Sequence, residues 1–377
     1  MNMIAAIRLR APPRATSVCR VPAVQRAPPR RAMTLVEVLT VIAVLVILAA
    51  IAVPAIQAAR ESANRASCAN NLRQVATGML AHETIRESLP HGGWSGGSAP
   101  IYKNGMAAQG KEQLAGWAFQ ILPQLDEELL HRRPPEVAIA TPVDVYFCPS
   151  RGGKRVLSPS PAQTSLYVDI PQQGMYAIGQ PIAHASIDYA SAYVDPRCLP
   201  RETPSLADFC DPPSQAETSG CVVRLQITTN RVPPLAWSRL VGRSDIRDGL
   251  GHTLLIAEKR MNMQTLGDYQ LDDDQGYTAG WDFDANRNAS LPPERDYVSE
   301  RLTLKNPQSY ADEFRQLSQF GSAHSSGINA AFADGSVRHL TYGIEPLAFH
   351  RMGGRNDGRT LEERASDADR GQGHGKP

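Results

Sequence analysis

The sequence predicts an α+β protein in which one long N-terminal helix packs on an antiparallel β-sheet domain carrying large loop insertions. Three observations support that expectation. Residues 38–56 form an uncharged apolar run, and counted from Leu35 it makes about 33 Å of helix, enough to cross a bilayer core. After it, residues 57–87 hold no strong helix breaker except Gly78, and Leu72, Val75, Met79 and Leu80 recur at helical spacing, as in an amphipathic stalk with one face buried. Further on, short apolar runs end at turn residues: 222–228, 253–257, and the pair 328–333 and 336–342 around Asp334-Gly335, which reads as a hairpin.

The elements then fall in order. Residues 1–32 are a basic leader, 33–56 a membrane helix, 57–88 the stalk and 89–345 a β-rich outer domain with its insertions between 89 and 245. Residues 346–377, Gly-rich and charged without apolar periodicity, read as a disordered tail.

Composition narrows the function. The 42% hydrophobic and 20% charged residues exclude a wholly disordered chain, and six Cys in 377 residues are too sparse for a disulfide scaffold. The 29 Gly and 29 Pro point to many turns. A net charge of +1 gives no case for a nucleic-acid partner. The charge is uneven, however: the first 32 residues hold seven Arg and no acid, and the rest carries 32 basic against 38 acidic residues. A basic head before an apolar run stays cytoplasmic and places the downstream chain outside the inner membrane, with the run itself in contact with lipid. Pro54 is tolerated near the end of a membrane helix.

Glu37 breaks the pattern, since an ionised side chain in lipid costs about 2.5–3.5 kcal/mol unless it is paired or interfacial. The string Arg30-Arg31-Ala32-Met33-Thr34-Leu35-Val36-Glu37 resembles the prepilin cleavage and methylation segment of type IV pilins and type II secretion pseudopilins. It departs from that segment in Ala32, where Gly is usual, and in Met33, where Phe is usual. The resemblance implies cleavage between Ala32 and Met33 and N-methylation by prepilin peptidase. It also implies that Glu37 guides assembly with other pilin-like subunits. Cleavage would free an α-amine within one helical turn of the Glu37 carboxylate. The rival reading is a secretory signal cut near Ala58, but its apolar region would be overlong and Glu37 would have no purpose.

Further segments resemble, in order, a large-domain prepilin-like family of unknown function. They are Ser67-Cys68-Ala69-Asn70-Asn71-Leu72-Arg73-Gln74, residues 117–126, Phe147-Cys148-Pro149-Ser150, residues 248–258, Ala279-Gly280-Trp281-Asp282, and His324 with nine residues between it and Asp334-Gly335. That last spacing resembles the family's H-x9-DG signature, and the resemblance implies a pilin-like fold. Cys68 and Cys148 fall in matching segments and are expected to tie stalk to domain. Of the other outer cysteines, Cys210 with Cys221 is the preferred pair.

Catalysis is not expected. Gly93-Trp94-Ser95-Gly96-Gly97 matches an esterase elbow but sits among loop residues. His324 and Asp334 should lie at opposite ends of a strand about 30 Å long, with His324 bonded locally and Asp334 starting the turn. Asp282 and Asp284 begin a calcium-loop pattern that lacks its Gly and closing Glu, so a solvated acidic loop is expected, with calcium as a weaker option at these residues or at Asp272, Asp273 and Asp274. No zinc-finger spacing occurs. The alternative function is a helix-anchored outer module that binds a glycan or another surface ligand.

Overall fold

The computed structural model describes residues 34–94, 98–103, 105–158, 183–194, 220–225, 239–268, 270, 273–298 and 317–356, with the backbone of short ladders at 168–169, 176–177, 227–228 and 235–236. The chain divides into two compact units, the first ending at Ile56 and the second starting at Gln57. The leader, including Ala32 and Met33, lies outside the described residues, as do Ser95, Asp272, Cys198 and Cys210.

Helix α1 runs Leu35–Arg86 and passes through Pro54 without ending. In the first unit its apolar side chains, Leu35, Ile42, Val46, Ile51 and Ile56 among them, are exposed. A window of this helix is long and apolar enough to cross a membrane. In the second unit the helix buries Cys68, Leu72, Val75, Ala76, Gly78, Met79 and His82 along one face. Gly78 has a packing reason to be there: a Cβ at that position would come within 3.1 Å of Leu125 Cδ2.

The main sheet has five strands: β1 (Tyr189–Tyr193), β2 (Leu254–Glu258), β3 (Asn286–Asn288), β4 (Gly327–Phe332) and β5 (Val337–Thr341). Their order across the sheet is β3-β1-β2-β4-β5. Strand β2 is antiparallel to β1, with Ala257 opposite Ala190, and to β4, with Ala257 opposite Ala330. Strand β3 adds parallel to β1 at the edge. Every residue of β1, β2 and β4 is buried, because both faces are covered. One core cluster joins Tyr189, Leu255, Ile256 and Ala331 to Leu72, Val75, Ala76 and Met79 of the stalk. The other joins Ala190, Ala192, Leu254, Ile328, Ala330 and Phe332 to Phe349.

The structure corrects several expectations. The insertion between 89 and 245 contributes the inner strand β1. The strand expected at 222–228 is regular only at Ile227–Thr228; before that, Val223 and Leu225 bond singly to the backbone of Gly92 and Gly93. The tail expected from 346 opens with helix α2 (Pro346–Gly353), N-capped by Glu345, whose carboxylate accepts the N–H groups of Leu347 and Ala348 at 2.9 and 2.6 Å. Phe349 anchors α2 on the sheet, fully buried, and residues beyond 356 lie outside the described set. Cys221 is a free thiol inside the first core cluster, and burial pushes its pKa up to about 12.

Buried His91 holds the loop after the stalk. Its Nδ1 accepts the Gly93 N–H at 3.0 Å and faces Gln120 Nε2 at 3.2 Å, so Nε2 carries the proton toward Gly110 O at 2.9 Å. Protonating Nδ1 would set a new donor against donors, and burial already pushes the imidazole down to about 4. The unfolded chain therefore binds more protons than the folded one below pH 6.5. His91 alone should contribute a loss of about 3 kcal/mol of stability as pH drops from 7 to 4. Denaturant midpoints across that range test this, and His91→Gln should reduce the response, leaving the part that comes from His131 and His82.

Candidate functional site

Two places on α1 carry the chemistry. At its start, Thr34 and Glu37 form a reciprocal capping box. Glu37 Oε2 accepts the Thr34 N–H at 2.8 Å and the Thr34 hydroxyl at 3.0 Å, and the Glu37 N–H donates to Thr34 Oγ1 at 3.3 Å. The acid thus satisfies helix-end donors within its own chain.

The second place is a polar joint in the stalk. Glu61, Arg65, Cys68 and Asn71 recur at spacings of about three to four residues, one helical face ahead of the apolar stripe. Each meets the domain. Glu61 Oε1 lies 2.6 Å from His324 Nδ1, and its Oε2 accepts the Ser150 hydroxyl at 3.1 Å. Arg65 donates to Ser326 Oγ at 3.2 Å, and Asn71 Nδ2 donates to Phe147 O at 2.9 Å. Cys68 is disulfide-bonded to Cys148, with 5.3 Å between their Cα atoms.

His324 sits at the centre, and its partners differ from expectation. It is fully buried, and although its backbone N–H reaches Ser322 Oγ at 3.1 Å, its ring is not held locally. Nδ1 meets Glu61 of the stalk, while Nε2 meets Glu258 Oε1 at 3.2 Å and Cys148 Sγ at 3.8 Å. Glu258 closes β2, and its Oε2 accepts the Asn329 N–H at 2.7 Å. Burial opposes charge on the imidazole, but the hydrogen bonds and charges of Glu258 and Glu61 outweigh it and raise its pKa above the ordinary value.

Asp334 lies away from this cluster, in the turn of the β4–β5 hairpin. Its carboxylate accepts the Ser336 N–H at 2.8 Å, and its own N–H donates to Leu250 O at 3.1 Å. Gly335 follows in the left-handed region at φ 84°, where a Cβ would come within 3.2 Å of Leu80 Cδ1 on the stalk. The stretch from His324 to Gly335 therefore touches α1 at two heights, Glu61 and Leu80. About 28 Å of helix separates those residues, and β4, six residues long, lies within the stretch that connects them. Gly335→Ala forces a side chain into that conformation and against Leu80, and should cost about 1–2 kcal/mol in a denaturation midpoint.

The acidic stretch is also corrected. Asp273, Asp274 and Asp284 are buried rather than solvated. Lys259 Nζ lies 3.0 Å from Asp273 Oδ1 and 3.1 Å from Asp284 O, so a fixed cation already stands there. Asp284 Oδ2 accepts the N–H groups of Gln275, at 2.6 Å, and of Gly276. Burial raises its pKa well above the usual carboxylate range, against the opposing charge of Lys259. Asp282 accepts the Phe283 N–H at 2.5 Å, and the edge strand β3 begins soon after it.

Residues 28–53 match the prokaryotic N-terminal methylation motif, a span that includes Ala32, Met33 and Glu37. With the exposed apolar half of α1, that match defines a prepilin-like, membrane-anchored protein of the pilin and pseudopilin type. The second unit narrows this further: residues 57–347 match the family described as "Protein of unknown function (DUF1559)", and the chain belongs to that family. No curated protein and no solved structure matches the chain significantly.

Proposed function

We propose that the chain is a non-enzymatic prepilin-like envelope protein, cut between Ala32 and Met33 and N-methylated by prepilin peptidase. It is then held in the inner membrane or assembled with other pilin-like subunits into a pilus or a type II secretion pseudopilus. Its N-terminus starts cytoplasmic and the second unit lies on the outer side. The observation that carries this reading is the methylation-motif match across residues 28–53, with Glu37 at the head of a lipid-suited helix. The capping box supports it, because it keeps an acid that lipid disfavours at the helix start. The test is whether the chain is recovered with other pilin-like subunits in sheared surface fibres, and whether recovery needs the Glu37 charge.

A second reading, the anchored binding module, draws on a cavity of about 210 Å³ lined by His82, Arg86, Met106, Gln124, Glu128 and His131. Gln124 Oε1 is buried without a hydrogen-bond partner, as a polar ligand's hydroxyl would require. Glycan binding that survives loss of the Glu37 charge would favour this reading.

A further inference from the structure

We propose that the stalk joint, once its disulfide is reduced, is a zinc site formed by Cys68 Sγ, Cys148 Sγ, His324 Nε2 and Glu258 Oε1. These four ligand atoms lie within 4.8 Å of one another. Tetrahedral zinc with sulfur at about 2.3 Å and nitrogen or oxygen at about 2.0 Å sets its ligand atoms roughly 3.3–3.8 Å apart. His324 Nε2 already stands 3.2 Å from Glu258 Oε1 and 3.8 Å from Cys148 Sγ.

Three of the four ligand residues are also held from behind, as metal sites favour. Glu61 Oε1 holds the far ring nitrogen of His324 at 2.6 Å, which turns Nε2 toward the sulfurs. The Asn329 N–H fixes Glu258 Oε2 at 2.7 Å, which leaves Oε1 facing His324 Nε2 at 3.2 Å. The Cys148 N–H donates to Asp188 Oδ2 at 2.7 Å. Cys68, Cys148, His324 and Glu258 are all buried, so water competes poorly, while Glu61 at 40% exposure marks the way in.

Two molecules of a small thiol reductant convert the disulfide to two cysteine thiols and become a disulfide themselves. Zinc then displaces the proton from each thiol and any proton on His324 Nε2, and these pass to solvent. Zinc takes no electrons. Disulfide and metal thus tie the same residues, and a chain that meets zinc before an oxidant is still fastened at the joint. This inference rests on the second unit alone and is independent of membrane assembly.

The test uses the full chain in mild detergent, reduced with a phosphine and titrated with Co²⁺ as a spectroscopic probe, then with Zn²⁺. One equivalent of cobalt should give the absorption of a tetrahedral thiolate site, zinc should abolish it, and the oxidised chain should give none. Glu61→Gln should weaken binding about 10–100-fold, and Cys221→Ser should change nothing. If reduction unfolds the chain, one equivalent of zinc should restore its near-UV circular dichroism. The proposal is overturned if the reduced chain gives no tetrahedral spectrum, if zinc fails to restore an unfolded reduced chain, or if the spectrum survives replacement of both Cys68 and Cys148 by Ser.

Discussion

Glu37→Gln should leave the chain in the membrane and remove it from fibres, with recovery in sheared fractions falling at least tenfold. The substitution is informative because Glu37 has two separable roles. Three residues after the cap, its side-chain oxygen accepts the Thr34 N–H at 2.8 Å, and a Gln amide oxygen can do the same. The helix start should therefore survive. The charge does not. A carboxylate has room for about four hydrogen bonds, so Oε2 can serve Thr34 while the group still attracts a freed Met33 amine on the same chain or a neighbour. Glu37→Ala removes cap and charge together and should also reduce membrane-inserted chain. Equal recovery of wild type and Glu37→Gln in fibres would show that the charge plays no part in assembly.

Cys148→Ser should destabilise the second unit strongly. The disulfide closes a loop with a sequence separation of 80 residues, for which chain entropy gives roughly 4.5 kcal/mol, and native bonds of this kind contribute about 2–5 kcal/mol. A melting temperature lower by roughly 5–10 °C should follow in near-UV circular dichroism melts of the detergent-solubilised chain. The effect should be local at first. Asn71 and the apolar stripe still hold the stalk, while Glu61 and His324 lose the packed sulfur beside them. Cys221→Ser is the control, since that thiol is free. A melting temperature unchanged by Cys148→Ser would mean that the bond does not constrain the chain.

The parts of this architecture that were legible in the sequence are those written in local periodicity. The apolar run, the stripe at Leu72, Val75 and Met79, and the Asp334-Gly335 turn each show within a few residues. Strand β1 was missed because Tyr-Ala-Ser-Ala-Tyr alternates small with aromatic residues and sits inside a long insertion. Its place in the sheet is set by partners at Ile256 and Asn286, far along the chain. Helix α2 was missed because its neighbourhood is charged and Gly-rich, and its burial depends largely on Phe349. The joint was hidden most thoroughly. Glu61, Cys148, Glu258 and His324 come from four distant segments, and none follows a metal-ligand spacing. One signal was available: Glu61, Arg65, Cys68 and Asn71 form a second, polar stripe on the stalk, and polar residues at helical spacing beside an apolar face mark a helix whose flank is also covered.

The mass of the N-terminal peptide of the chain recovered from envelope fractions tests the central claim most directly. The account predicts a peptide that begins at Met33 and carries one added methyl group on its α-amine. A chain that still begins in the basic leader, or one that begins near residue 58 with the apolar segment gone, would contradict it.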